Sequence, residues 1–177
     1  ENIRDHKHTR CTKFLTGTLG NRRQVCLLLG LPTDTPDKKI IQHLRACYRR
    51  GIPPVEVATG PVKTHKLAGA DLDLGEFPVP HWHHLDGGRF IDTFCGVVTR
   101  NPKNGQMNVG IYRGQVIAPD KIGKLLIPTQ HWGSHFAEHR ETSSPMPVAV
   151  VHGWHDVLPF CAGSPFPKGI CEYDMMG

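Results

Sequence analysis

The chain has 177 residues, 38% of them hydrophobic and 21% charged, with 19 Gly and 15 Pro, a composition that excludes disordered, low-complexity and collagen-like polypeptides. Lys and Arg number 21 against 16 Asp and Glu, a net charge of +5; the cations are scattered, which favours small anionic ligands and argues against nucleic acid as a partner. No apolar run reaches the roughly 20 residues of a membrane helix, and the longest, residues 25–31, contains Gly30, so a cytoplasmic protein without membrane contact is expected. The six cysteines, Cys11, Cys26, Cys47, Cys95, Cys161 and Cys171, follow no signal peptide and no paired spacing, and are expected as free thiols. Glu1 opens the chain without Met, and Gly177 follows an acidic-aromatic stretch that reads as the middle of a helix; both ends are read as cuts in a longer protein.

In chain order, Asn21 is a candidate N-cap for a helix over 21–30, with Val25, Cys26, Leu28 and Leu29 as its stripe and Gly30 and Pro32 as its stop. A second helix is predicted over 36–50. There Thr35 would cap, Pro36 would take the first helical position, and Ile40, Ile41, Leu44, Cys47 and Tyr48 recur at helical period. Residues 51–80 are rich in Pro and Gly and read as a connection containing a domain boundary. Beyond it, 90–99 and 107–117 read as strands around an Asn104-Gly105 turn signal. A turn over 118–123, a helix over 132–141 and a buried strand over 147–152 complete the reading, which makes the fold α+β with a mostly antiparallel second part.

Four stretches could carry chemistry. In Asn108-Val109-Gly110-Ile111-Tyr112-Arg113, strand alternation puts Asn108, Gly110 and Tyr112 on one face and Val109, Ile111 and Arg113 on the other. Asn offers an oxygen to a hard cation and Arg a fork to carboxylate or phosphate; an edge strand with two solvated polar side chains is the alternative. His131, His135 and His139 recur every four residues, a spacing that admits zinc, but no HExxH pattern or cysteine pair joins them, and only His131, at a strand-to-helix junction, is placed as a ligand. Residues 162–167 are small and Pro-rich and lead to a single carboxylate, Glu172. Residues 81–90 combine three histidines and a tryptophan with a Gly-Gly turn. One Asn, one His and one Glu form a mixed oxygen and nitrogen set that suits Mn²⁺ or Mg²⁺ beside a phosphate better than zinc.

These motifs resemble those of the UbiD family of flavin-dependent decarboxylases, which includes ferulic acid and hydroxybenzoate decarboxylases. The resemblance rests on Asp86-Gly87-Gly88-Arg89-Phe90, Thr99-Arg100-Asn101-Pro102, the Asn108 to Arg113 string, Ile127-Pro128-Thr129-Gln130-His131, and Ser164-Pro165-Phe166-Pro167 through to Glu172. All occur in the family's order and span most of the chain.

The resemblance implies that residues 69–177 form part of a split β-barrel like that of flavin reductases, preceded over 1–68 by a short helical segment, the end of an α/β region. It implies prenylated FMN as cofactor, supplied by a flavin prenyltransferase and held through its phosphate by a divalent ion, Mn²⁺ or Mg²⁺, on Asn108, His131 and Glu172. K⁺ is expected nearby, at oxygens around Val109, Cys161, Ala162 and Ser164. Asn108, Val109, Gly110, Ile111, Tyr112, Arg113, Gln130, His131, Ser164, Pro165 and Glu172 are the implied cofactor-binding residues, and Arg113 is also the implied catalytic residue, facing the substrate carboxylate. The implied activity is reversible release of CO₂ from an aromatic or α,β-unsaturated acid. The family pattern completes its site with two glutamates and a phosphate-contacting lysine that follow the Glu172 motif, so a fragment lacking the proton donor is expected, homo-oligomeric when full length. A catalytically incomplete flavin-binding module and a subunit of a multi-subunit aromatic carboxylase are the alternatives.

Overall fold

Asn21 and Gln24 stand at capping-box spacing, and in the computed structural model, which describes residues 11, 13–167 and 169–176, they form one. Asn21 Oδ1 accepts from Gln24 N, and Gln24 Oε1 accepts from Asn21 N, each at 3.1 Å, opening helix α1 (Arg22–Leu28). Helix α2 (Asp37–Tyr48) starts one residue later than predicted: Pro36 is extended (ψ 146) and occupies the cap position. Thr35 does not cap it, because its hydroxyl turns back to the Pro32 carbonyl at 2.6 Å. Of the predicted stripe only Ile40 is buried, and Ile41 is 52% exposed.

Strands β1 (Gly96–Arg100), β2 (Met107–Gly110) and β5 (Val148–Val151) form an antiparallel sheet in the order β2-β1-β5. The β1–β2 loop uses the expected turn residues: Asn101 Oδ1 accepts from Lys103 N and Asn104 N, and Asn101 O from Gly105 N. Strands β3 (Gly114–Ala118) and β4 (Lys121–Lys124) pair as a separate hairpin. Helices α3 (His131–Glu141) and α4 (Val157–Ala162) and a 3-10 turn at Glu172–Met175 complete the chain. The architecture is therefore α+β with antiparallel sheets, without a closed barrel among the described residues.

Three strand expectations change. The strand predicted over 90–99 begins only at Gly96, since Ile91–Thr93 is a 3-10 turn that buries Asp92. The strand predicted over 107–117 breaks at residues 111–113, where the Tyr112 carbonyl accepts from Lys124 Nζ (2.8 Å) and the chain passes from one sheet to the other. The turn predicted over 118–123 is shorter, because residues 121–124 pair with β3. β5 is also less buried than its Val-Ala run predicts, with Val148 42% exposed, because it lies at the edge of its sheet.

The chain divides into two units. The described part of the first comprises residues 11, 13–15, 55–93 and 112–125, and that of the second residues 16–54, 94–111, 126–167 and 169–176. The second holds most of the core: Cys26, Cys95, Val97, Val109, Trp132 and Cys161 are each 2% exposed or less. All six cysteines are free thiols. Among the described residues no helix is long and apolar enough to cross a membrane.

Within the first unit, fully buried Asp92 pairs with Lys124 at 2.5 Å. Removing one partner of a buried ion pair strands the other charge. Lys124→Met is therefore expected to destabilise the fold by about 3–5 kcal/mol, and adding Asp92→Asn to recover most of it, as read from urea midpoints.

Candidate metal and cofactor site

Three elements of the second unit bring together the side chains singled out as a mixed ligand set. β2 presents Asn108, the first residue of α3 is His131, and the 3-10 turn opens with Glu172. Asn108 is 5% and Glu172 4% exposed. Asn108 Oδ1 lies 2.9 Å from His131 Nδ1, and Glu172 Oε2 accepts from the Val109 backbone N–H at 2.7 Å.

The placement follows from strand register. Thr99 pairs with Asn108 across β1 and β2, and cross-strand partners point to the same face. On that face lies α3, whose His131 and His135 are one turn apart: His135 Nδ1 meets Thr99 Oγ1 at 2.9 Å while His131 meets Asn108. Gly133 lets the first turn of α3 approach the preceding segment, since a Cβ there would run into the Ile127 carbonyl.

Burial pushes the Glu172 carboxyl above its ordinary range, against the opposing effects of the Val109 N–H and of His131. A hydrogen bond to a charged group returns about 1.5–3 kcal/mol, less than the several kcal/mol that desolvating a carboxylate costs, so burial wins. A divalent cation at this carboxylate would reverse that balance. The donors are two oxygens and an imidazole nitrogen, the chemistry of a Mn²⁺ or Mg²⁺ site, so the residues present fit such an ion.

The three-histidine zinc face does not assemble. His139 Nδ1 turns to Ser144 Oγ at 3.0 Å and His135 to Thr99, and among the described residues no three His, Cys, Asp or Glu side chains converge.

Of the other implied residues, Val109 and Gly110 are buried in β2 and Ile111 follows them. Gln130 precedes α3, its Oε1 accepting from Trp132 Nε1 at 3.2 Å. Ser164 Oγ donates to the Phe160 carbonyl at 2.9 Å, and Pro165 is exposed. Tyr112 and Arg113 belong to the first unit, where the exposed Arg113 guanidinium lies 5.6 Å from the centre of the Phe90 ring. Sequence reasoning named Val109 but missed that its amide anchors Glu172, a pairing 63 residues apart that no local pattern reports. Burial pushes the Cys161 thiol up to about 11, with Glu172 adding to the effect, so it is a core group and not a nucleophile.

The domain model described as the 3-octaprenyl-4-hydroxybenzoate carboxy-lyase Rift-related domain of UbiD matches residues 54–177. The chain is 31% identical to a pyrrole-2-carboxylic acid decarboxylase of Pseudomonas aeruginosa, over 87% of this chain and 31% of the relative. It is 33% identical to ferulic acid decarboxylase 1 of Candida dubliniensis, over 94% of this chain and 34% of the relative. Among solved structures, the vanillic acid decarboxylase of Sedimentibacter hydroxybenzoicus in its closed form superimposes with a TM-score of 0.83 at 26% identity, covering 91% of this chain and 35% of that one. An evolved dimeric form of the UbiD-class enzyme HmfF from Pelotomaculum thermopropionicum, in complex with prFMN, gives 0.80 at 26%, covering 90% and 36%. The chain thus spans about a third of the length of the curated relatives it matches.

Burial holds His135 below its ordinary value of 6.5, with His131 and His139 acting in the same direction and Glu138 opposing. The unfolded chain therefore takes up this proton more readily than the folded one, so stability should be full above pH 6.5 and fall as the pH drops below it. His135→Gln is expected to flatten that fall in urea midpoints measured between pH 7 and 5.

Proposed function

The chain belongs to the UbiD family, and on that premise we propose that it is the cofactor- and metal-binding part of a prenylated-FMN-dependent decarboxylase acting reversibly on an aromatic or α,β-unsaturated acid. The observation that carries this reading is the contact of Asn108 with His131 beside a buried Glu172 that is bonded to the next amide in the strand, Val109, and feels the charge of His131. In it these three side chains would hold Mn²⁺ or Mg²⁺, and the ion would supply positive charge for the cofactor phosphate. K⁺ takes oxygens around Val109, Cys161, Ala162 and Ser164. Residues 108–113, Gln130, His131, Ser164, Pro165 and Glu172 line the cofactor, and residues 69–177 contribute to a split β-barrel.

When bound, prenylated FMN supplies the electron sink for loss of CO₂. This chain's residues supply position and charge. Arg113 orients the substrate carboxylate through its fixed fork of donors, and its rest against Phe90 would limit the directions in which that fork points. Support for the cofactor comes from the prFMN complex of the HmfF neighbour, and support for the substrate class from the decarboxylases to which the chain is similar.

Two experiments test the reading. Mn²⁺ added to EDTA-treated chain at 100 times its Kd is expected to stabilise it by about 2.7 kcal/mol, seen as a rise in Tm that Glu172→Gln removes; no rise in the parent chain would refute the metal assignment. In the full-length protein, coexpressed with a flavin prenyltransferase, Arg113→Ala is expected to abolish CO₂ release from cinnamic-type or hydroxybenzoic acids while the visible spectrum still reports bound cofactor. Undiminished turnover would remove Arg113 from the mechanism, and cofactor retention without CO₂ release by the parent would favour a silent flavin-binding module.

A further inference from the structure

Residues 48–52 end α2 and precede the stretch matched by the family domain, 54–177, yet they touch both segments on which the proposed site depends. Tyr48 Oη lies 3.2 Å from Ser164 Oγ, and its ring meets Phe166 edge-on with centroids 5.1 Å apart. The Ile52 N–H donates to the Asp174 carbonyl at 2.7 Å. Between them, Gly51 passes so close to the same turn that a Cβ would stand 2.9 Å from the Met175 methyl and 3.1 Å from the Asp174 oxygen.

Asp174 and Met175 lie in the four-residue 3-10 turn that opens with Glu172. Such a turn has few hydrogen bonds of its own and poor geometry in those it has. Glu172 itself is buried, 4% exposed, so its place depends on what packs against the turn. The turn is held against β2 from one side by Val109 N–H, and Cys161 Sγ adds a long contact of 3.5 Å to the Met175 carbonyl. The segment 48–52 adds the Ile52 hydrogen bond and the close approach of Gly51.

We propose that Gly51 and Ile52, anchored by Tyr48, are positioning residues: a strap from outside the matched domain that fixes the Glu172 turn in its metal-binding place. The inference rests on the metal reading of Asn108, His131 and Glu172. The contacts divide the work. The Ile52 amide sets the height of the turn through Asp174, Gly51 permits the approach that this bond needs, and Tyr48 ties the end of α2 to the loop bearing Ser164.

The test is Mn²⁺ affinity of the EDTA-treated chain, read by electron paramagnetic resonance of free Mn²⁺ and independent of any activity. Gly51→Ala is expected to weaken binding roughly 10-fold or more, as removal of a ligand's support does, with the circular dichroism spectrum of the metal-free chain unchanged. Met175→Ala in the same chain removes the nearer of the two atoms the new methyl meets, leaving the Asp174 oxygen, and should restore part of the affinity, which general destabilisation would not allow. Tyr48→Phe keeps the ring on Phe166 but loses the hydroxyl; it should weaken binding by a smaller factor, and it decides the matter alone if Gly51→Ala does not fold. Parent-like affinity in the folded strap variants, with Glu172→Gln still abolishing binding, overturns the strap and leaves the metal site intact. Mn²⁺ binding indifferent to Glu172→Gln, or absent from the parent, overturns both.

Discussion

The second unit is arranged around a buried carboxylate whose hydrogen bond is to a backbone amide. β2 is an edge strand, paired on one side with β1, and an edge strand leaves alternate N–H groups facing outward. The outward amide of Val109 meets Glu172 at 2.7 Å. This satisfies a strand edge with a side chain instead of a further strand, and it carries the end of the chain to the residue next to Asn108. The bond offsets only part of what the burial costs, and the carboxyl stays above its ordinary range. The turn carrying Glu172 has further contacts in the same unit, from Ile52 to Asp174 and from Cys161 to Met175.

The opposite wall is set by a different device. Thr99 and Asn108 are cross-strand neighbours, and His135 and His131 are helical neighbours; each histidine meets one member of the strand pair at 2.9 Å. Two rungs fix both the translation and the rotation of α3 on the sheet, where one would leave the helix free to pivot. Only one rung is a candidate ligand pair. The Thr99 rung is buried and its histidine turns Nδ1 to a hydroxyl, so it aligns the helix. Three histidines at four-residue spacing thus have three separate partners: Asn108, Thr99 and Ser144.

Much of this was legible in the sequence. The N-cap at Asn21, the helix that follows the Gln130-His131 junction and the turn chemistry of Asn101 each depend on side chains close in sequence. What was not legible depends on partners far away. Strand 107–117 reads as continuous because alternation reports a pleat and says nothing of which sheet the pleat joins; the break at 111–113 is held by Lys124, twelve residues on. Thr35 looks like a cap from its type, but its hydroxyl has a competing acceptor in Pro32. β5 reads as buried because Val and Ala report hydrophobicity, and its place at the sheet edge is a fact of topology.

The break at 111–113 also gives the six-residue string from Asn108 to Arg113 its meaning. Had it been one strand, Asn108 and Arg113 would lie on opposite faces of a single sheet, five residues apart, and the motif would have no reason to be contiguous. Instead β2 ends at Gly110, Tyr112 hands its carbonyl to Lys124, and β3 begins at Gly114 in a different sheet. Lys124 is itself neutralised by buried Asp92, so the crossover is pinned through a charge pair that strongly resists being half removed. The six-residue string thus ends one strand, in β2, and leads into another, β3, of a separate sheet. That change of sheet is why strand periodicity failed here.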